Sequence, residues 1–212
     1  AKILSNLALS LQRQSKLDEA IALYKSAIEI NPDDPALLQN FGMACKQNGN
    51  MQEAKTVLEK ALAVNKDSYC VHMALGEILA ADSQCDPAIA HYKEAATLRP
   101  TESAPQFNLG GLYARQAKYQ QAADSYAAAL QLKPGDARVT ADLGWSLYAA
   151  GRLPEAAEKL EVVARQDSSN AKVLRALAAI YSSLKDSATD EATKQSYRSK
   201  AVKCWNEVVR LD

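Results

Sequence analysis

Apolar residues recur at three- and four-residue intervals along the chain, as in Leu4, Leu7, Ala8 and Leu11 and then Ala20, Leu23, Tyr24 and Ala27. That spacing places one apolar stripe on each of two successive helices, and nothing alternates with the period of two that a half-buried strand requires. The stripes themselves repeat. Sliding the sequence against itself by 34 residues lays Ala20 on Ala54, Ala88, Ala122 and Ala156 without an insertion. In the same frame Leu7 meets Phe41, Leu75, Leu109, Leu143 and Leu177, while Gly42, Gly76, Gly110 and Gly144 share a column with Ala8 and Ala178. Small residues at a fixed place mark the close approach of two backbones. Tyr24, Leu58, Tyr92, Tyr126 and Leu160 form a further column, and Ala27, Ala61, Ala95, Ala129 and Val163 another.

The breaks fit the same frame. A short polar stretch, Gln14 to Lys16, ends the first helix, and Gly49 and Gly151 supply a capping conformation in two later copies, with Ser83 and Ala117 in that column elsewhere. The second helix ends before Asn31-Pro32, Arg99-Pro100 or Lys133-Pro134, because proline cannot continue a helix and restricts the residue before it. The expected organisation is one all-α domain over 1–212, with units at 1–34, 35–68, 69–102, 103–136, 137–170 and 171–212. The sixth departs from the others. Aligning Ala201, Trp205 and Val208 with the Ala20, Tyr24 and Ala27 columns needs about eleven extra residues, which predicts a loop at about 187–197, outside the packed columns, before a longer second helix.

Thirty-four residues, two helices, small residues in fixed columns and proline at the seam resemble the tetratricopeptide repeat (TPR). The resemblance implies a right-handed superhelical α-solenoid of about six helix-turn-helix repeats, whose first helices line a concave groove. It also implies a protein–protein interaction scaffold that holds a peptide or protein segment in that groove, without enzymatic activity or cofactor. The alternative it leaves open is a substrate-recruiting domain of a fused enzyme such as a glycosyltransferase. With Ala1 already inside a helical pattern and Asp212 just short of a closing turn, the sequence is expected to be the repeat domain of a larger protein.

Carrying the family's groove face along by 34 residues selects Asn6, then Asn40 and Met43, Met73, then Phe107, Asn108 and Arg115, then Arg138, Asp142, Trp145 and Tyr148, and finally Lys172 and Arg175. Asn6, Asn40 and Asn108 share one column with Asp142. An asparagine amide donates and accepts at once, so such a row can grip the backbone of an extended peptide whatever its side chains. It is similar to the asparagine ladder of the repeat domain of O-linked N-acetylglucosamine transferase. On the same face Lys2, Arg13, Lys46, Arg115, Arg138, Lys172 and Arg175 stand against Glu77 and Asp142, which leaves it about +5. Phe107, Trp145 and Tyr148 add the large rings typical of binding hot spots. The expected partner is therefore an acidic peptide. The family's two-carboxylate clamp for chaperone tails is missing, since Ser5, Leu9, Cys70 and Ala74 stand where its polar cations belong.

Composition narrows the classes further. Lys plus Arg equals Asp plus Glu at 25 each, so no general field attracts nucleic acid, and no regular per-repeat base-reading pair is present. No apolar run approaches the ~20 residues of a membrane helix. Cys45, Cys70, Cys85 and Cys204 lack metal-ligand spacing and read as reduced core residues; with no glycosylation sequon, a cytoplasmic setting is expected. No phosphate-binding, nucleophile-elbow or zinc-protease motif occurs, and neither metal nor cofactor is expected. His72 falls on the Leu4 and Leu38 column and reads as a packed structural residue.

Overall fold

A computed structural model describes residues 1–211. Among the described residues there are twelve α-helices and no strand: α1 (Lys2–Arg13), α2 (Leu17–Ile30), α3 (Pro35–Gln47), α4 (Met51–Val64), α5 (Tyr69–Ala81), α6 (Cys85–Leu98), α7 (Ser103–Arg115), α8 (Tyr119–Leu132), α9 (Ala137–Ala149), α10 (Leu153–Gln166), α11 (Ala171–Ser187) and α12 (Glu191–Leu211). They form two compact units of three hairpins each, Ala1–Thr101 and Glu102–Asp212. In every hairpin the first helix packs on the second. Within the first unit α3 also packs on α2 and α5 on α4, and within the second α9 packs on α8 and α11 on α10. The fold is an all-α helical repeat, in which each hairpin buries a face that it could not bury alone.

The columns read from the sequence are the core. Ala20, Tyr24 and Ala27, then Ala54 and Leu58, and Ala156 and Leu160 are fully buried. The glycine column explains how the large column fits. A Cβ added at Gly42 would lie 2.6 Å from the Leu58 side chain, at Gly76 2.6 Å from Tyr92, at Gly110 2.7 Å from Tyr126 and at Gly144 2.9 Å from Leu160. Each is closer than real Cβ contacts come, so the bulky residue of the second helix occupies space that the first helix leaves by having no side chain there.

The turn within each of the first five hairpins has one residue in the left-handed region, and it is the same residue of the repeat every time: Ser15 (φ 61°), Gly49 (84°), Ser83 (60°), Ala117 (56°) and Gly151 (78°). The backbone conformation is kept even where glycine is absent. At the helix starts Asp34 accepts hydrogen bonds from the Ala36 and Leu37 amides, and Asp136 from those of Arg138 and Val139. Asp18 and Glu19 lie in the first turn of α2, where the helix dipole favours carboxylates.

The sixth hairpin corrects two expectations. The segment 187–197 is not a loop: only residues 188–190 separate α11 from α12, and the extra residues lengthen both helices. The cause is compositional. From Ala171 to Leu211 there is neither glycine nor proline, and Lys185, in the turn column, stays helical. The inserted segment is also docked, since the Tyr197 ring stacks on Tyr181 at 6.1 Å and 20°. Trp205 does not take the Tyr24 place in the core. Ala201 and Val208 are buried as expected, but the lengthened α12 turns Cys204 inward and leaves Trp205 exposed.

Candidate functional site

In the second unit two groups of candidate groove residues come together on the first helices, one between α7 and α9 and one between α9 and α11. Phe107, on α7, packs on Tyr126 beneath it with ring centroids 5.7 Å apart. The Arg138 guanidinium of α9 lies 4.9 Å over the Phe107 ring. About two turns along α9, Trp145 meets Tyr148 edge-on at 6.5 Å, and the Lys172 ammonium of α11 sits 4.8 Å over the Trp145 ring. Two cations are thus held against two half-buried aromatic faces, with Tyr148, Arg138, Lys172 and Arg175 open to solvent. A cation over a ring keeps most of its field available to an anion on its other side.

Asp142 lies on α9 between Arg138 and Trp145. Burial raises its carboxyl pKa above the ordinary carboxylate range, with the Arg138 charge opposing that shift. Tyr126 is pushed up to about 12, first by burial and then by the Asp142 charge, so its phenol stays protonated at neutral pH. Asn108 is half-buried and Arg115 exposed on α7.

The first unit is arranged differently. Asn6 is exposed on α1, Asn40 and Met43 are half-buried on α3, and Met73 is half-buried on α5. Among the described residues no side-chain hydrogen bond occupies the amides of Asn6, Asn40 or Asn108. Lys46, by contrast, is paired with Glu77, which removes it from the charge offered to a ligand. Gln12 bridges Gln47 at 3.2 Å and accepts from the Tyr24 hydroxyl at 3.1 Å. The positive, aromatic part of the candidate face therefore lies in the second unit and the open amides mainly in the first.

One polar cluster was not foreseen. His72, buried on α5, lies with its Nδ1 3.0 Å from Nδ1 of His91 on α6, and its Nε2 is 3.0 Å from the Lys66 carbonyl oxygen. The carbonyl can only accept, so His72 Nε2 carries hydrogen and His72 Nδ1 accepts from His91 Nδ1–H. Burial first, then the neighbouring His72, lowers the His91 pKa, against a smaller opposing effect of Glu94. The signal was in the columns: His72 and His91 replace Leu38 and Val57 of the preceding repeat, so two polar substitutions fell on one contact. Among the described residues no group of three or more His, Cys, Asp and Glu side chains is placed to hold a metal. The four cysteines are free, and burial pushes the Cys45 thiol up to about 12. No helix of the described residues is long and apolar enough to cross a membrane.

The chain is similar to the crystal structure of MamA protein (TM-score 0.73, 20% identity, covering 81% of this chain and 93% of that one). It is similar to YrrB, described as a TPR protein with an unusual peptide-binding site (TM-score 0.74, 18% identity, 89% and 92% covered). A third similar structure is that of Pseudomonas aeruginosa pilF (TM-score 0.67, 21% identity, 92% and 87% covered). At these identities the likeness is one of fold alone. No curated protein sequence matches the chain. Two family models described as tetratricopeptide repeat match residues 11–78 and 107–171, more than half of the sequence between them. With the 34-residue period, the glycine-and-bulky columns and the hairpin turns, these matches place the chain in the tetratricopeptide repeat family.

Proposed function

We propose that this chain is a non-enzymatic scaffold that holds an acidic peptide or protein segment along the first-helix face of its repeats. The observation that carries the reading is the row Phe107–Arg138 and Trp145–Lys172 in the second unit, in which cations stand on half-buried rings. Such a row offers an incoming segment two things at once. The rings and Tyr148 give apolar contact area at low conformational cost, and Arg138 and Lys172 attract carboxylates. Beside that row the open amide of Asn108 supplies backbone hydrogen bonds that need no particular ligand side chain, and on the first unit's own first-helix face Asn6 and Asn40 offer the same. Met43 and Met73 add adaptable apolar contact. That YrrB is described as having a peptide-binding site is a parallel on the same fold. Nucleic acid is not the proposed ligand, and neither is a chaperone-tail carboxylate clamp.

The test is a peptide array graded in acidity, with the best binder measured by titration. Trp145→Ala should weaken its binding by about 2 kcal/mol, as truncating a hot-spot aromatic does. Arg138→Ala should cost less and flatten the salt dependence, since exposed charges are screened over about 10 Å at 0.1 M salt. Equal binding by the parent, by Trp145→Ala and by a variant with Asn6, Asn40 and Asn108 all changed to Ala would remove the first-helix face from consideration.

A further inference from the structure

Asp142 occupies the column that holds asparagine at Asn6, Asn40 and Asn108. The exchange alters what the position can do, since an asparagine amide both donates and accepts whereas an ionised carboxylate only accepts. On α9 Asp142 stands four residues after Arg138 and three before Trp145. That spacing puts all three on one face of the helix, with Asp142 about 6 Å from Arg138 and about 4.5 Å from Trp145 along the axis. Arg138 lies over the Phe107 ring and Lys172 over the Trp145 ring, so the carboxylate comes between the two cation-on-ring groups along α9.

The chain leaves this carboxylate without a partner of its own. Among the described residues no hydrogen bond or ion pair reaches it, and the Ser146 hydroxyl donates to the backbone carbonyl oxygen of Asp142, not to its side chain. Arg138 turns its guanidinium to the Phe107 ring and acts on Asp142 through space. Asp136, at the start of the same helix, is the contrast. It accepts from the Val139 and Arg138 amides and pairs with Lys133, which lowers its pKa, whereas burial raises that of Asp142. A half-buried acceptor that finds no donor is a standing cost in the free chain, and a ligand that brings the donor removes it. A ligand carboxylate at the same place would set a like charge against it in a partly desolvated position, which is strongly unfavourable.

Resting on the reading of this face as the site of an acidic segment, we infer that Asp142 is its specificity-determining residue. The segment it selects carries a lysine or arginine between acidic residues, with the basic group on Asp142 and the flanking carboxylates on Arg138 and Lys172. The face presents plus, minus, plus, and the ligand that fits it reads minus, plus, minus. A uniformly acidic segment is attracted by the same two cations but meets Asp142 with the wrong sign. Discrimination of this kind comes from a repulsive element built into an otherwise attractive face.

The probe is an end-capped peptide of alternating glutamate and alanine, about twelve residues long so that at ~3.3 Å per residue it crosses α7, α9 and α11. In its derivatives one glutamate at a time becomes lysine, and binding to the whole chain is measured by fluorescence anisotropy. Asp142→Asn installs the residue that Asn108 has in the same column, and Asp142→Ala that of Ala74 and Ala176, so both should fold, which circular dichroism checks. The parent should hold the all-glutamate peptide, and should bind the derivative with lysine at one interior position roughly tenfold more tightly, as an ion pair replaces a like-charge contact. Lysine at either end should weaken binding. Both variants should hold the all-glutamate peptide more tightly than the parent does and show no preference for interior lysine. Lysine derivatives that all bind the parent more weakly, or an interior preference that survives in both variants, would overturn the role of Asp142 and leave the acidic-segment reading standing. A parent that holds neither the all-glutamate peptide nor any derivative would overturn both.

Discussion

Gly110 and Gly111 are neighbours in the middle of α7, and changing each to alanine should move stability in opposite directions. At Gly110 the new methyl would lie 2.7, 2.8 and 2.9 Å from three carbons of the Tyr126 ring. The ring cannot swing aside, since Tyr126 is buried and Phe107 packs on it. Overpacking of this kind costs about 1–3 kcal/mol, whereas alanine gains about 1 kcal/mol over glycine in a helix interior. Repeat one carries Ala8 opposite Tyr24 in the same columns, so a hairpin can open enough to admit the methyl, and the middle of the cost range, about 2 kcal/mol, applies rather than its top. The net result is a loss of about 1 kcal/mol. At Gly111 a Cβ would meet only the Tyr126 hydroxyl oxygen at 3.6 Å, an ordinary contact. There the helix gain stands almost alone, at about 0.5–1 kcal/mol. For a chain of this size the two variants should differ in Tm by about 4–8 °C, measured by far-ultraviolet circular dichroism. A shift of the same sign in both would mean that the glycine column does not mark a close approach, and the account of the repeat packing would fail.

Other expected outcomes follow from the turns, the buried histidines and the core columns. Ser83→Gly and Ala117→Gly should each stabilise by about 0.5–1 kcal/mol in urea denaturation, because both residues hold positive φ, and Gly49→Ala should lose a similar amount. The His91 pKa is lowered in the folded state, so above its ordinary value of 6.5 neither state is charged, and as pH falls below 6.5 the unfolded chain takes the proton first. Stability should therefore drop on acidification below pH 6.5, and His72→Leu/His91→Val, which restores the pair of the preceding repeat, should reduce that drop. Ala88→Arg and Ala122→Arg should unfold their hairpins, since both sites are fully buried; unchanged melting in either would refute the register.

The period made most of this architecture legible, because a column samples the same physical environment five or six times. One glycine says little, but Gly42, Gly76, Gly110 and Gly144, each sixteen residues before Leu58, Tyr92, Tyr126 or Leu160, state a contact. The candidate face was legible for the same reason: positions that point away from the second helix in one repeat do so in the next. What the columns could not give is which neighbours those side chains meet across repeats. Lys46 belongs to the positive face by position, yet Glu77 of the next repeat neutralises it, whereas Arg138 and Lys172 stand on rings.

The sixth repeat shows where column reasoning fails and why. An alignment with eleven extra residues has to put them somewhere, and a loop is the cheapest assumption when the flanking columns are held fixed. Helix propensity decided otherwise, since a stretch without glycine or proline gains a backbone hydrogen bond for each residue it adds to a helix. Lengthening α11 by four residues, about one turn, beyond the column where the other first helices end moves the start of α12, and the phase of α12 against α11 is then set by packing that repeat spacing does not describe. The stacking of Tyr197 on Tyr181, and the Glu161 carboxylate, which accepts from the Tyr181 hydroxyl and pairs with Lys200, fix that phase. With Ala201 and Val208 inside, the inward position between them falls to Cys204, and Trp205 goes to the surface. Deleting residues 188–197 should therefore be as damaging as the buried-alanine substitutions, because it removes Tyr197 and the whole connection, residues 188–190, that lets α12 turn back on α11. A melting temperature within 2 °C of the parent, no more than a loss of about 1 kcal/mol causes in a chain of this size, would show that the Tyr181–Tyr197 contact does not set the phase.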